Sequence, residues 1–87
     1  MLNPIVSVIM PVYNTGIYLK EAIDSIINQS FINFELIIID DSSTDNSLQI
    51  IENYRDQRIL LVKKDFNSGY TKSLNIGLKL AKGKYIA

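Results

Sequence analysis

A chain of 87 residues in which nine Lys plus Arg balance nine Asp plus Glu supports one small domain and has no surplus positive charge to neutralise a run of phosphates, so a nucleic-acid partner is not expected. It contains no cysteine and no histidine, which removes disulfides, thiolate nucleophiles, imidazole bases and the usual zinc sites. Any metal would need carboxylate ligands.

The N-terminal run "MLNPIVSVIMPVYN" has no early basic residue. Its apolar stretch is interrupted by Ser7 and stopped by Pro11, short of a signal sequence or of the roughly 20 residues a membrane span needs, so the expected compartment is the cytoplasm. Within it "IVSVIM" (5–10) reads as a first strand. Leu19, Ala22, Ile23, Ile26 and Ile27 then recur at helical intervals, with Lys20, Glu21, Asp24 and Asn28 opposite and Asn14 or Thr15 as cap. "FELIIID" (34–40) is a second strand, β-branched and apolar enough to be buried on both faces of a parallel sheet.

A second helix is expected after a Ser43 or Thr44 cap, with Asp45 in its first turn and Leu48, Ile51 and Tyr54 on one face until "RDQR" ends it. "ILLV" (59–62) is a third strand. In "SGYTKSLNIGLKLAKG", Leu74, Ile76, Leu78 and Leu80 alternate like a strand, whereas Tyr70, Leu74, Gly77, Leu78 and Ala81 share a helical face. Length, a Ser68 cap and a Gly83 stop select helix, and Gly77 on its inner face would let helix and sheet approach closely. "KYIA" (84–87) is a last strand. The order β-α-β-α-β-α-β, with crossovers long enough for parallel pairing, describes an α/β, Rossmann-like three-layer half domain over residues 1–87. The last strand runs into Ala87 with no loop after it, so a longer protein is expected.

In open parallel sheets, ligands bind beyond the carboxyl ends of the strands. Pro11 to Asn14 follow the first strand and Asp40 and Asp41 end the second, so the two segments should share one rim. Adjacent carboxylates are unfavourable unless each has its own donors or solvent, so the pair suits a partner bearing N–H or O–H groups, or a cation. Aspartate followed by "SSTD" is equally good turn and cap chemistry, and from these residues alone both readings stay open. The first strand is followed by "PVYNTGIY", so neither the dinucleotide G-x-G-x-x-G nor the P-loop pattern is present. A phosphoryl-transfer aspartate of the receiver or dehalogenase type would sit at the end of a different strand, or in an aspartate-x-aspartate at the first strand.

Three segments, "VSVIMPVYN", "AIDSIINQSFINFELIIIDDSSTDNS" and "NSGYTKSLNIGLKLAKGKYIA", together resemble the N-terminal part of a family 2 glycosyltransferase of the GT-A fold, over essentially the whole chain and in the family's order and spacing. The resemblance implies strand order 3-2-1-4 and a nucleotide-sugar-binding subdomain. It implies that Tyr13 lies against the base, with the backbone of Pro11 and Val12 helping to hold it. It implies that Asp41 accepts from the base, typically uracil N3–H, while Asp40 orders the loop or faces the ribose. Asn67, Ser68, Gly69 and Lys72 form the third motif. There Gly69 would permit close backbone approach, and Lys72 would reach the diphosphate or base edge or else be a solvated helix lysine. Lys79, Lys82 and Lys84 read as solvent-facing charge.

Family members follow "GKYIA" with an aspartate-x-aspartate motif that holds magnesium or manganese against the donor diphosphate, and then with an acceptor-binding half that carries the catalytic base. This chain has no residue for either task. The resemblance therefore implies a parent enzyme that transfers sugar from a nucleotide donor, a uridine one expected, to an acceptor hydroxyl in polysaccharide or glycoconjugate synthesis, with membrane association of the parent an open expectation. The 87 residues themselves are expected to bind nucleotide without catalysis and to self-associate through the last strand's edge. The alternative is a stand-alone, non-catalytic nucleotide-binding or interaction module.

Overall fold

The structure, a computed structural model, describes residues 4–87; residues 1–3, part of the N-terminal run read above, lie outside it. Four parallel strands, β1 (Val6–Val12), β2 (Phe34–Asp40), β3 (Ile59–Lys63) and β4 (Tyr85–Ile86), alternate with α1 (Ile17–Ile27), α2 (Ser47–Glu52) and α3 (Tyr70–Leu80). The sheet order is β3-β2-β1-β4, as the resemblance implied. β2 is buried along its whole length, which is why its sequence is a continuous apolar run rather than an alternating one.

Alternation along the strands divides the interior into two layers. Val12 of β1 and Phe34, Leu36 and Ile38 of β2 pack with Leu19 and Ile23 of α1 and Ile51 of α2, while Val6, Val8 and Met10 close the edges of this cluster. The opposite face presents Ile9 and Ile39 to α3, which approaches through Gly77: a Cβ added there would collide with Ile9 Cγ2 and lie 3.1 Å from Ile39 Cδ1. The missing side chain is what permits that contact.

β1 runs two residues past the expected end, through Pro11. Its odd-numbered residues bond toward β4: the Tyr85 and Ala87 amides donate to the Ile5 and Ser7 carbonyls, and the Ile9 amide donates to the Ala87 carbonyl. Pro11 therefore lacks its N–H on the side past Ala87, so the ladder to β2 is kept.

The helix caps differ from expectation. α1 starts behind Gly16 (φ 54°) and α3 behind Gly69 (φ 98°), neither with a side-chain cap. Asn14, one of the two caps expected for α1 beside Thr15, is spent elsewhere: its Oδ1 accepts from the Thr44 and Asp45 amides at 2.8 and 3.2 Å. α2 begins at Ser47 rather than after Ser43 or Thr44, because Ser43 bonds Asp40 and Asp45 closes a turn onto the Ser47 amide at 2.9 Å. α3 ends at Leu80, before Gly83, and its buried residues are Ser73 and Gly77, while Tyr70 and Leu78 of the expected inner face are 66% and 51% exposed. Two small residues carry the contact with the sheet, so the larger ones beside them are held away from it.

At the amino end of the sheet a buried polar knot ties β4 down. Ser7 Oγ donates to Glu35 Oε2 at 2.5 Å, the Lys82 amide donates to the same oxygen at 2.6 Å, and the Gly83 amide donates to Ser7 Oγ at 2.7 Å. Among the described residues no fully buried side-chain nitrogen or oxygen lacks a partner, as a buried polar cluster requires. Gly83 acts here as a close-packing position rather than as a helix stop, since a Cβ on it would lie 2.6 Å from the Ser7 amide nitrogen.

Candidate nucleotide site

The carboxyl ends of β1 and β2 meet the start of α3 around a cavity of about 250 Å³ lined by Pro11, Val12, Tyr13, Asp41, Asn67, Gly69, Tyr70 and Ser73. Six of the eight residues proposed from sequence are among them. The cavity lies just below the range of about 300–1,000 Å³ usual for small-molecule sites, room for a base and part of a sugar rather than for a whole nucleotide sugar.

The pleat separates the two aspartates. Asp40 points to the α1 and α2 layer, where its carboxylate accepts from Ser43 Oγ at 2.6 Å and from the Ser43 amide at 3.2 Å. It orders the loop after β2 and does not line the cavity. Asp41 points to the α3 layer. Its Oδ1 accepts from the Ser68 amide at 3.0 Å and contacts the Lys64 ammonium at 2.7 Å, and its Oδ2 accepts from the Gly69 amide at 3.0 Å. Burial pushes the Asp41 carboxyl up, but Lys64 and the two amides outweigh it and hold it below the usual carboxylate range. A carboxylate offers about four acceptor directions; three are used, and the open one is on Oδ2.

Tyr13 follows the end of β1 and is 47% exposed. The backbone around it is tied in place: Asn14 and Ser42 both adopt positive φ, 50° and 62°, and the Asn14 amide donates to Ser43 Oγ at 3.1 Å. Left-handed conformations at non-glycine residues are costly and persist only where surrounding bonds enforce them, and here they turn both loops along the rim. Gly69, also at positive φ, has no atom within 4 Å of an added Cβ. Its need for glycine is conformational rather than steric.

Lys72 does not join this group. It lines a separate cleft between β3 and α3, together with Lys63, Lys64, Phe66 and Lys79. Sequence reading also missed Lys64, Tyr70 and Ser73. For Lys64 a signal existed: Asp40 pairs in register with Lys63, so the "DD" after β2 and the "KK" after β3 set Asp41 beside Lys64 on one face.

The residues present do not fit a divalent metal. Asp41 is already in contact with an ammonium, Asp40 faces the other layer, and no group of three or more Asp and Glu among the described residues is placed to hold one. Nor is any helix among them long and apolar enough to cross a membrane.

Residues 7–87 match the model of the family described as Glycosyl transferase family 2. An uncharacterized glycosyltransferase of Haemophilus influenzae is 49% identical over 88 residues, covering 99% of this chain and 35% of the relative. The crystal structure of S. aureus TarS 1-349 in complex with UDP superposes with a TM-score of 0.87 at 38% identity, over 94% of this chain and 25% of that one. The mannosyltransferase PcManGT from Pyrobaculum calidifontis, in complex with GDP-Man and Mn2+, superposes with a TM-score of 0.80 at 29% identity, over 93% of this chain and 25% of that one. The chain thus spans about a third of the length of the curated relative.

Proposed function

Since the chain belongs to glycosyl transferase family 2, we propose that its rim cavity receives the base and ribose of a nucleotide-sugar donor, a uridine one, and that a longer enzyme containing it passes the sugar to an acceptor hydroxyl in polysaccharide or glycoconjugate synthesis. The observation that carries this reading is that Asp41, whose Oδ2 accepts one bond only, lines the same cavity as the half-exposed Tyr13. The ring offers a stacking face that tolerates any base. The carboxylate offers acceptors only and is held ionised, so it selects a base edge that presents an N–H. Pro11 and Val12 supply apolar wall, and Asn67 and Gly69 close the side against α3.

Catalysis is a separate matter. Asp41 is the one carboxylate lining the cavity, and its contact with Lys64 makes it a poor acceptor for the proton of an attacking hydroxyl. The 87 residues therefore bind nucleotide without transferring sugar, and a metal that clamps the diphosphate takes its carboxylates from outside them. Lys72 lines the neighbouring cleft and not the cavity, so no contact with the base is assigned to it.

The internal partners of Asp41 favour a second reading, in which the carboxylate staples the 68–69 loop to β2 and the chain is a non-catalytic module. Titration with UDP, with and without manganese, followed by amide NMR on the wild type and Asp41→Ala, separates the two. Saturable shifts at Pro11–Asn14 and Asp41 that disappear in the variant support the nucleotide site. Shifts that are absent, or equal in both proteins, leave the staple. Sugar transfer catalysed by the purified chain would refute the non-catalytic assignment.

A further inference from the structure

Lys64 lies behind the cavity rather than in it, and its burial makes it unusual among the lysines of this chain. Its side chain is 9% exposed and that of Asp41 6%, with Nζ 2.7 Å from Asp41 Oδ1. Nζ also donates to Ser73 Oγ in the first turns of α3 at 3.1 Å, and the Lys64 amide donates to the Asp40 carbonyl at 3.0 Å. One residue thus joins the ends of β2 and β3 to α3.

The partners of the two Asp41 oxygens fall on different sides. Oδ1 is held by Lys64 and Ser68, which line the cleft between β3 and α3, whereas Oδ2 is held by Gly69, which lines the cavity beside Tyr13. The carboxylate has a back oxygen and a front oxygen, and the ammonium takes the back one.

We infer that Lys64 is a positioning residue of the nucleotide site: it fixes the Asp41 carboxylate so that Oδ2 and its open acceptor direction face the cavity, and it holds the start of α3 at the distance that shapes the cavity's far wall. The inference rests on the nucleotide reading given above. Lys64 touches no ligand and acts through Asp41 and Ser73. Without it the carboxylate keeps only two neutral amide donors in a dry site, where an uncompensated charge is strongly disfavoured. The group then takes up a proton or rotates toward water, and either change removes the acceptor aimed at the base.

The test compares the 87-residue wild type with Lys64→Met by two measurements: NMR titration of the Asp41 side-chain carboxyl carbon against pH, and the dissociation constant for UDP. In Lys64→Met the Asp41 carboxyl should titrate at higher pH than in the wild type, and UDP affinity of the folded protein should fall by about tenfold or more, the scale of a lost charge-assisted contact. A purely structural lysine, although its removal would also raise the Asp41 titration and lower the melting temperature, would leave UDP affinity in place. An unmoved Asp41 titration, or UDP binding within about twofold of wild type, overturns the inference. If Lys64→Met does not fold, Lys64→Gln, which keeps a donor without the charge, is judged by the same criteria. Wild type that does not bind UDP overturns the nucleotide reading and this inference with it. Binding lost in Asp41→Ala but kept in Lys64→Met overturns this inference alone.

Discussion

Asp40 and Asp41 are neighbours in sequence and strangers in space. The first is bonded to Ser43 in the α1 and α2 layer, and the second to Lys64, Ser68 and Gly69 in the α3 layer. The pleat of β2 resolves their repulsion by sending each to its own donors.

Substitution of the two should therefore have separable effects. Asp40→Ala leaves the Ser43 amide and hydroxyl without their acceptor and is expected to cost about 1–3 kcal/mol of stability, with UDP affinity of the folded protein little changed. Asp41→Asn should lose most of the UDP affinity. Urea unfolding and calorimetric titration of both variants check this, and equal loss of affinity in the two would contradict the division of roles.

Stability should be level across neutral pH and fall at both ends. There is no histidine, so no side chain with an ordinary value titrates between about pH 5 and 8. The Asp41 carboxyl is held low against its own burial by Lys64 and the two amides, and Asp56 is held low chiefly by its bond to Arg58. A carboxyl depressed in the folded state binds protons more readily in the unfolded chain. Its stabilisation is complete above the unfolded value of about 4 and is lost as the pH falls below it. Burial and the neighbouring Asp24 raise the Tyr54 hydroxyl to about 12; its contribution is present below about pH 10 and lost as the pH climbs from there. Melting temperatures from pH 2 to 11 test the pattern. Asp41→Asn should flatten the acid limb and Tyr54→Phe the alkaline one.

Gly77→Ala and Gly83→Ala should both destabilise, and differently. At position 77 the new methyl meets Cγ2 and Cγ1 of Ile9 and Cδ1 of Ile39; Ile9, branched at Cβ, has to shift as a whole to make room, at a cost of about 1–3 kcal/mol. At position 83 it meets backbone, the Ser7 nitrogen at 2.6 Å and the Val6 carbonyl carbon at 2.8 Å, which cannot yield without lifting β4. Hydrogen exchange at the Tyr85 and Ala87 amides should accelerate in Gly83→Ala far more than in Gly77→Ala.

β4 is an edge strand, with Tyr85 and Ile86 exposed, and such an edge invites pairing with a second copy. Sedimentation should show a concentration-dependent dimer that Ile86→Lys weakens. A strictly monomeric profile at high concentration would dispose of the idea.

The sequence by itself determined the alternation of elements and the sheet's buried centre, because a run such as "FELIIID" can be accommodated only where both faces are covered. It also determined which loops meet at the rim, since parallel crossovers bring the carboxyl ends of β1 and β2 together. Only the tertiary structure decided where the polar side chains went. Asn14, Ser43 and Asp45 are competent helix caps in any local reading, but each found a partner about 30 residues away or in the adjoining turn, and a hydrogen bond across the fold displaced the cap. Lys72 and Lys64 are both lysines beside the same loop. Their roles parted because strand register buried Lys64 against Asp41, while the helix turned Lys72 into the neighbouring cleft. Periodicity records which face a residue takes; the partner across that face is contributed by distant chain, and no local pattern contains it.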